Sequence, residues 1–216
     1  MKRAAIISLA LIGCLILFGA FANQTLAEEL VEGEDYFTYE GAGDDFIEIE
    51  KPEEIAIMHI IGNQADSFFA VQGYDADGNS TELFVNTTDP YEGTVALDFD
   101  DEETTHLEIE ADTGDEWNIG IFPIGATEYW VEVPGEITGE NDSIVMIEGS
   151  PTMADIEGNQ ADSFFAITGW LEEDGWFVGS DLLVNTTDPY EGTVRMESET
   201  MILEIEAVGE WTIEVQ

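Results

Sequence analysis

From Asp45 onward, apolar and polar residues alternate along much of the chain with a period of two. Asp45 to Glu50, Thr105 to Glu110 and Trp211 to Val215 each switch residue by residue. That pattern puts one side of an extended strand on a core and the other in water. Ile55 to Ile61, Ser67 to Tyr74 and Thr81 to Val85 are rich in β-branched and aromatic residues and predict further strands. Gly41 to Asp44, Asp75 to Asn79 and Asp89 to Gly93 carry the Gly, Asp, Asn and Pro of turns. No helical period of useful length follows the N-terminal segment. Short strands broken by turns roughly every 8–12 residues are the pattern of a β-sandwich.

The pattern occurs twice. Gly62 to Ala70, reading GNQADSFFA, returns at Gly158 to Ala166, and Asn86 to Val95, reading NTTDPYEGTV, returns at Asn185 to Val194. Leu107 to Ala111 returns at Leu203 to Ala207, and Glu116-Trp117 at Glu210-Trp211. Matches this long, in the same order, identify two tandem copies of one module. We expect an all-β protein: two tandem antiparallel β-sandwich (jelly-roll-like) modules, residues 28–125 and 126–216, behind an N-terminal signal or anchor helix, residues 1–27.

The N-terminal expectation rests on Met1-Lys2-Arg3 followed by an apolar run from Ala4 to Ala22. Ala20-Phe21-Ala22 and Thr25-Leu26-Ala27 both fit a signal-peptidase site. The run also has the length of a membrane anchor. Leu11-Ile12-Gly13-Cys14 offers a third reading, lipidation at Cys14, though the apolar run continues past it. Cys14 is the only cysteine, so a cleaved product has no disulfide and no thiolate chemistry.

Charge narrows the partners. The chain holds 49 acidic residues against four basic ones, a formal net charge of −45. A product starting at Glu28 keeps 49 acids against Lys51 and Arg195 alone, or −47. Nucleic acid is excluded, because no basic surface exists to displace phosphate counterions. An anionic bilayer surface is disfavoured for the same reason, leaving the N-terminal segment as the route to a membrane. With 44% hydrophobic and 11% aromatic residues the chain has the material of a core. Self-repulsion of this size opposes folding at low ionic strength, and salt screens it. We therefore expect a protein from a saline, halophilic setting.

The succession Gly41-Ala42-Gly43-Asp44, Asn86 to Thr94, then Leu107 to Ala111 closing on Glu116-Trp117 resembles a repeat of secreted and surface proteins of bacteria and archaea. Those β-sandwich modules are similar to the pre-peptidase C-terminal type. The resemblance covers about residues 36–122 and 130–216, and the second copy departs at Gly139-Glu140-Asn141-Asp142. It implies an accessory or surface module and supplies no catalytic residue.

Candidate chemistry is sparse. Carboxylate pairs carry no information in so acidic a chain. His59 and His106 face Asp155 and Ile202 in the repeat register, so neither belongs to the shared design. No nucleophile elbow, zinc-protease or phosphate-loop motif occurs, and we read the protein as non-catalytic. Asp75, Asp77 and Asn79 resemble a calcium loop but miss its spacing. A hairpin turn is the better reading, and calcium is the one cofactor that oxygen-rich loops leave open. Tyr91 and Tyr190 sit in the duplicated loops, and Trp170, Trp176 and Phe177 in a hairpin that is three residues longer in the second copy. Together they are our candidate ligand-binding residues, since aromatic side chains at loops stack on sugars or dock on partners. The hairpin aromatics could equally plug the junction between modules. Asn79, Asn86, Asn141 and Asn185, with Asn23, begin glycosylation sequons.

These readings converge on an exported protein of the cell surface or extracellular space, binding or adhering to envelope material or a polysaccharide. The alternative is a structural, cation-bridged component of the surface layer or envelope.

Overall fold

Turn residues and alternation together set the strand boundaries. The computed structural model describes residues 36–53, 55–64, 67–99, 103–160, 163–173 and 176–216, with backbone alone at Glu172, Glu173 and Trp176. The expected signal or anchor segment, Cys14 and the Asn23 sequon lie outside these residues.

The first repeat contains β1 (Phe37–Ala42), β2 (Asp45–Glu48), β3 (Ala56–Gly62), β4 (Phe69–Tyr74), β5 (Ser80–Thr87), β6 (Tyr91–Leu97), β7 (His106–Ala111) and β8 (Glu116–Pro123). A 3-10 turn, Ile124–Ala126, leads to β9 (Tyr129–Glu132). The second repeat follows as β10 (Gly135–Glu140), β11 (Ser143–Glu148), β12 (Met153–Gly158), β13 (Phe165–Glu173), β14 (Trp176–Thr186), β15 (Tyr190–Arg195), β16 (Thr200–Ala207) and β17 (Glu210–Val215). The protein is all-β. Some boundaries differ from the sequence reading: Gly41 and Ala42 close β1, and Tyr91 to Gly93 belong to β6, paired with Gly62 to Ile60, because Pro90 ends the turn.

Four sheets result. Sheet I has the order β1-β8-β3-β6, sheet II β2-β7-β4-β5, sheet III β14-β13-β16-β11-β9 and sheet IV β10-β17-β12-β15. Pairing is antiparallel except between β9 and β11. Sheets I and II fill one core with Met58, Ile60, Phe69, Leu107, Ile109 and Ile119, all at 0% exposure. Sheets III and IV fill a second with Val145, Phe165, Ile167, Leu203, Ile213 and Val215. The described residues from Tyr36 to Gln216 form one compact unit. Among the described residues no helix is long and apolar enough to cross a membrane.

The identical sequence runs hold each core shut. Asn63 is fully buried with φ of 56°. Its amide donates to the carbonyls of Ser67 and Asp89, both at 2.7 Å, and its Oδ1 accepts from the Ser67 N–H at 2.7 Å. Asn159 repeats the set with Ser163 and Asp188 at 2.7–2.9 Å. A buried amide satisfied on both ends fixes its surroundings without the cost of an unpaired group.

The departure at Asn141 also has a reason. Trp117 and Trp211 each donate an indole N–H at 3.0 Å to the carbonyl of residue 43 or 141. That residue needs a left-handed backbone, supplied by Gly43 at φ 75° and by Asn141 at φ 59°. Asparagine tolerates this conformation better than other side chains. Gly41 and Gly139 cannot be replaced, since a Cβ there would lie 2.2 and 2.1 Å from the indole.

Candidate interaction faces

Alternation along each strand leaves every sheet with an outer face, and one pair of outer faces is covered. Ile57 and Ala96 point outward from sheet I, and Ile144, Met146, Trp170 and Ile202 outward from sheet III. They meet with Phe99, Phe122 and Phe177 in a third apolar cluster that joins the repeats. Trp170 lies edge-on to Phe99 at 5.4 Å and beside Phe177 at 5.5 Å, with Phe99 and Phe177 4.9 Å apart. Only 6% of Trp170 remains exposed, and its indole N–H donates to Glu204 at 2.9 Å. Burial of one such ring contributes on the order of 2–3 kcal/mol.

A polar pin stands at the rim of this joint. The Tyr91 hydroxyl donates to Asp142 Oδ2 at 2.7 Å, and the Ala207 N–H donates to Oδ1 at 2.7 Å. The Thr94 N–H donates to the Asp142 carbonyl at 2.8 Å. Burial raises the Asp142 carboxyl above its usual range, opposed by the bonds from Tyr91 and Ala207. Burial and then the Asp142 charge raise neighbouring Glu206, and Tyr91 is held well above its ordinary value, first by burial. His59 bonds Thr94 through Nδ1 at 3.0 Å, while its Nε2 is buried without a hydrogen bond. Burial lowers its pKa against the pull of Glu92 and Glu128. In the second repeat Asp155 takes this place and receives the Thr193 hydroxyl. Lys51 pairs with Asp98, next to Phe99.

The five aromatic candidates do not form one exposed platform. Trp170 and Phe177 are spent in the joint, the other use that the hairpin residues allowed. Tyr91 is pinned to Asp142. Tyr190 packs beside Phe165 at 6.4 Å, and among the described residues its hydroxyl has no hydrogen bond. Trp176 is placed only as a strand position opposite Glu173. An alignment of the two copies would have flagged the joint, since outward Glu48, His106 and Tyr74 become Met146, Ile202 and Trp170.

Asp75 is occupied by its own hairpin. Oδ1 accepts the N–H groups of Asp77 and Asn79 at 2.9 and 2.8 Å, and Oδ2 the Asn79 amide at 2.7 Å. The Asn79 side-chain bond, then its N–H, hold the Asp75 carboxyl below its usual value. Asp75, Asp77 and Asn79 thus form an Asx-type turn. Among the described residues no group of three or more acidic, His or Cys side chains is arranged to hold a metal. Of the sequon residues, Asn86 and Asn185 are exposed on edge strands β5 and β14. The Asn79 amide is engaged as above, and Asn141 Oδ1 accepts the Gly209 N–H at 3.0 Å.

Two outer faces remain open. On sheet II, Phe46 is 56% exposed and stacks on His106 at 5.3 Å, beside Tyr74, whose hydroxyl donates to Glu108 at 2.6 Å. On sheet IV, Glu136, Asp155, Glu157, Glu191 and Glu214 line a shallow acidic trough. A second open cleft lies beside it, lined by Tyr129, Glu140, Glu157, Gln160, Glu210 and Thr212 among others.

No protein-family model and no curated protein matches the chain. Solved structures align at very low identity. A regulatory subunit of a cAMP-independent protein kinase A from Trypanosoma brucei is 9% identical over 83% of this chain and 74% of its own, with a TM-score of 0.23. An IolB-like protein from Salmonella typhimurium is 9% identical over 83% and 81%, TM-score 0.24. The M60 catalytic domain with CBM51 domains of Clostridium perfringens ZmpB is 8% identical over 83% and 34%, TM-score 0.22. Scores this low carry no argument about fold family or function.

Proposed function

We propose that this is an exported, non-catalytic protein of two tandem β-sandwich modules, jelly-roll-like, that serves as a structural component of a cell surface in a saline environment. One observation carries the reading. Trp170 and Phe177, two of the aromatic side chains proposed to hold a ligand, are packed instead into the apolar cluster that joins the repeats. The outward surfaces left over are dominated by carboxylates, whose repulsion salt or bridging cations relieve. The resemblance to surface repeats agrees with this use.

Binding of envelope material or a neutral glycan is the second reading, favoured by the cleft beside Tyr129, where Gln160, Thr212 and carboxylates offer hydrogen bonds around an aromatic ring. Fractionation of the source cells in their growth salt tests the first reading. The protein should stay with the envelope and come off when salt is diluted or divalent cations are chelated. Recovery only from the medium or the cytoplasm would sink it.

A further inference from the structure

The joint inside the chain has a donor face and a receiver face, and each exists a second time. Sheets I and IV occupy the same place in the two repeats, as do sheets II and III. Within the chain, sheet I of the first repeat meets sheet III of the second. Sheet IV and sheet II are therefore the same pair of faces, left open at opposite ends.

The correspondence extends to single residues. Phe46 pairs with Glu108 across β2 and β7 as Ile144 pairs with Glu204 across β11 and β16. Tyr74 pairs with His106 as Trp170 pairs with Ile202. The ring-to-carboxylate bond is kept too, from Tyr74 to Glu108 and from Trp170 to Glu204. On the other face, Met153 and Arg195 pair where Ile57 and Ala96 pair. Both pin residues are half-free. Tyr190 stands where Tyr91 stands and has no partner for its hydroxyl among the described residues. Exposed Asp44 stands where Asp142 stands and, among the described residues, receives only the Ala111 N–H, at 3.0 Å. Thr193 takes the place of Thr94. Arg195, exposed and without an ion pair among the described residues, would come against the row holding Phe46, Tyr74 and Glu48, which suits a guanidinium.

We infer that the protein associates head to tail with a second copy of itself, sheet IV of one on sheet II of the next, in the arrangement of its own internal joint. The Tyr190 hydroxyl then donates to Asp44 of the neighbour, and Arg195 covers Phe46. A contact between unlike faces leaves one face free at each end, so assembly is open-ended unless the rotation closes a ring. The new contact is weaker than the internal one. Met153 and Arg195 replace Ile57 and Ala96, and Asp155, Glu157 and Glu191 approach Asp44, Asp45 and Glu48. It therefore needs screening by salt. Its use in the cell rests on the structural reading above, but the contact itself does not, and purified protein tests it alone.

Sedimentation velocity is the experiment, run on the protein from low ionic strength to about 1 M NaCl, where the Debye length is about 3 Å. Monomer at low salt and a mass that climbs with concentration at high salt are expected. Tyr190→Phe and Asp44→Asn, conservative changes at surface positions, should each weaken association about tenfold. Phe46→Glu blocks the receiving face and Arg195→Glu the donating face, so each variant alone should stay monomeric. An equal mixture of those two should form a dimer and stop there, which only a contact between unlike faces produces. Monomer at every salt concentration overturns the inference. So does a closed dimer that the mixture fails to restore, which would mean like faces meet. Association with an envelope fraction that fails to self-associate in vitro would retain the structural reading and remove this one.

Discussion

Sheet II and sheet III began as the same surface and now do different work. In sheet III the outward row is Met146, Ile202 and Trp170, and the other repeat covers it. In sheet II the same row is Glu48, His106 and Tyr74, and it faces water. The antiparallel order of the four equivalent strands is alike in both, and among the described residues sheet III adds β9 beside β11. Three of the side-chain changes, carboxylate to thioether, imidazole to a branched alkyl group and phenol to indole, with Phe46 giving way to Ile144 beside them, thus separate an open face from a joint. The reverse exchange occurs on the opposing sheets, where Ile57 and Ala96 of the joint become Met153 and Arg195. Polar outer faces at both ends of a stacked pair are what a repeat array needs for solubility.

The comparison can be broken most directly at Trp170. Trp170→Ala should cost about 3–5 kcal/mol in urea unfolding at fixed salt, through the cavity it leaves. Tyr74→Ala, at the same position in the open face, should cost about 1 kcal/mol or less. Equal losses would mean that the joint contributes no more than an exposed face does. A smaller contrast is expected at the pin. Asp142→Ala strands the Tyr91 hydroxyl and the Ala207 N–H, a loss of about 1–3 kcal/mol, whereas Asp44→Ala should stay under about 1 kcal/mol. The same unfolding curves decide this.

The smallest effect is in pH. His59 has a depressed pKa in the folded protein, so its contribution is present above the ordinary value of 6.5 and lost as pH falls below it. Asp142 and Glu206 are raised, so theirs is present below the ordinary carboxylate range and lost as pH rises through their folded values. Thermal unfolding of wild type and His59→Gln across that range should show wild type losing ground to the variant below pH 6.5. Parallel profiles would remove His59 from the joint's energetics. The second repeat, with Asp155 at that position, has no such group.

Strand positions were legible because a period of two is imposed by the core on each residue. The duplication was legible because GNQADSFFA and NTTDPYEGTV stayed intact. The joint was harder. Alternation tells inside from outside a sheet pair, but an outward Trp170 reads alike whether it meets water or another sheet. Only the polar-to-apolar changes from Glu48 to Met146 and from His106 to Ile202, read across the copies, carry that information. The role of Asn63 was hidden for another reason: its partners lie in two separate runs, and a lone asparagine beside a turn looks like turn chemistry. Tyr91 and the Asp75 loop drew attention as ligand sites because polar and aromatic residues in loops serve binding and architecture equally.

The Asn63 clasp has a consequence for how the chain finds its fold. Asn63 closes on Asp89, 26 residues away, yet Asp188 offers it an identical partner sequence. Nothing in the local chemistry tells the two apart, so discrimination falls to the cost of closing the loop. The wrong closure spans a loop roughly five times longer, which is disfavoured by about 1.4 kcal/mol, or about tenfold. That margin is thin for a chain whose strands pair over long separations and so assemble slowly. Exchanged strands between repeats are the characteristic error to expect on refolding. A chain emerging from its N-terminal end, with the first clasp shut before the second partner exists, avoids the ambiguity altogether.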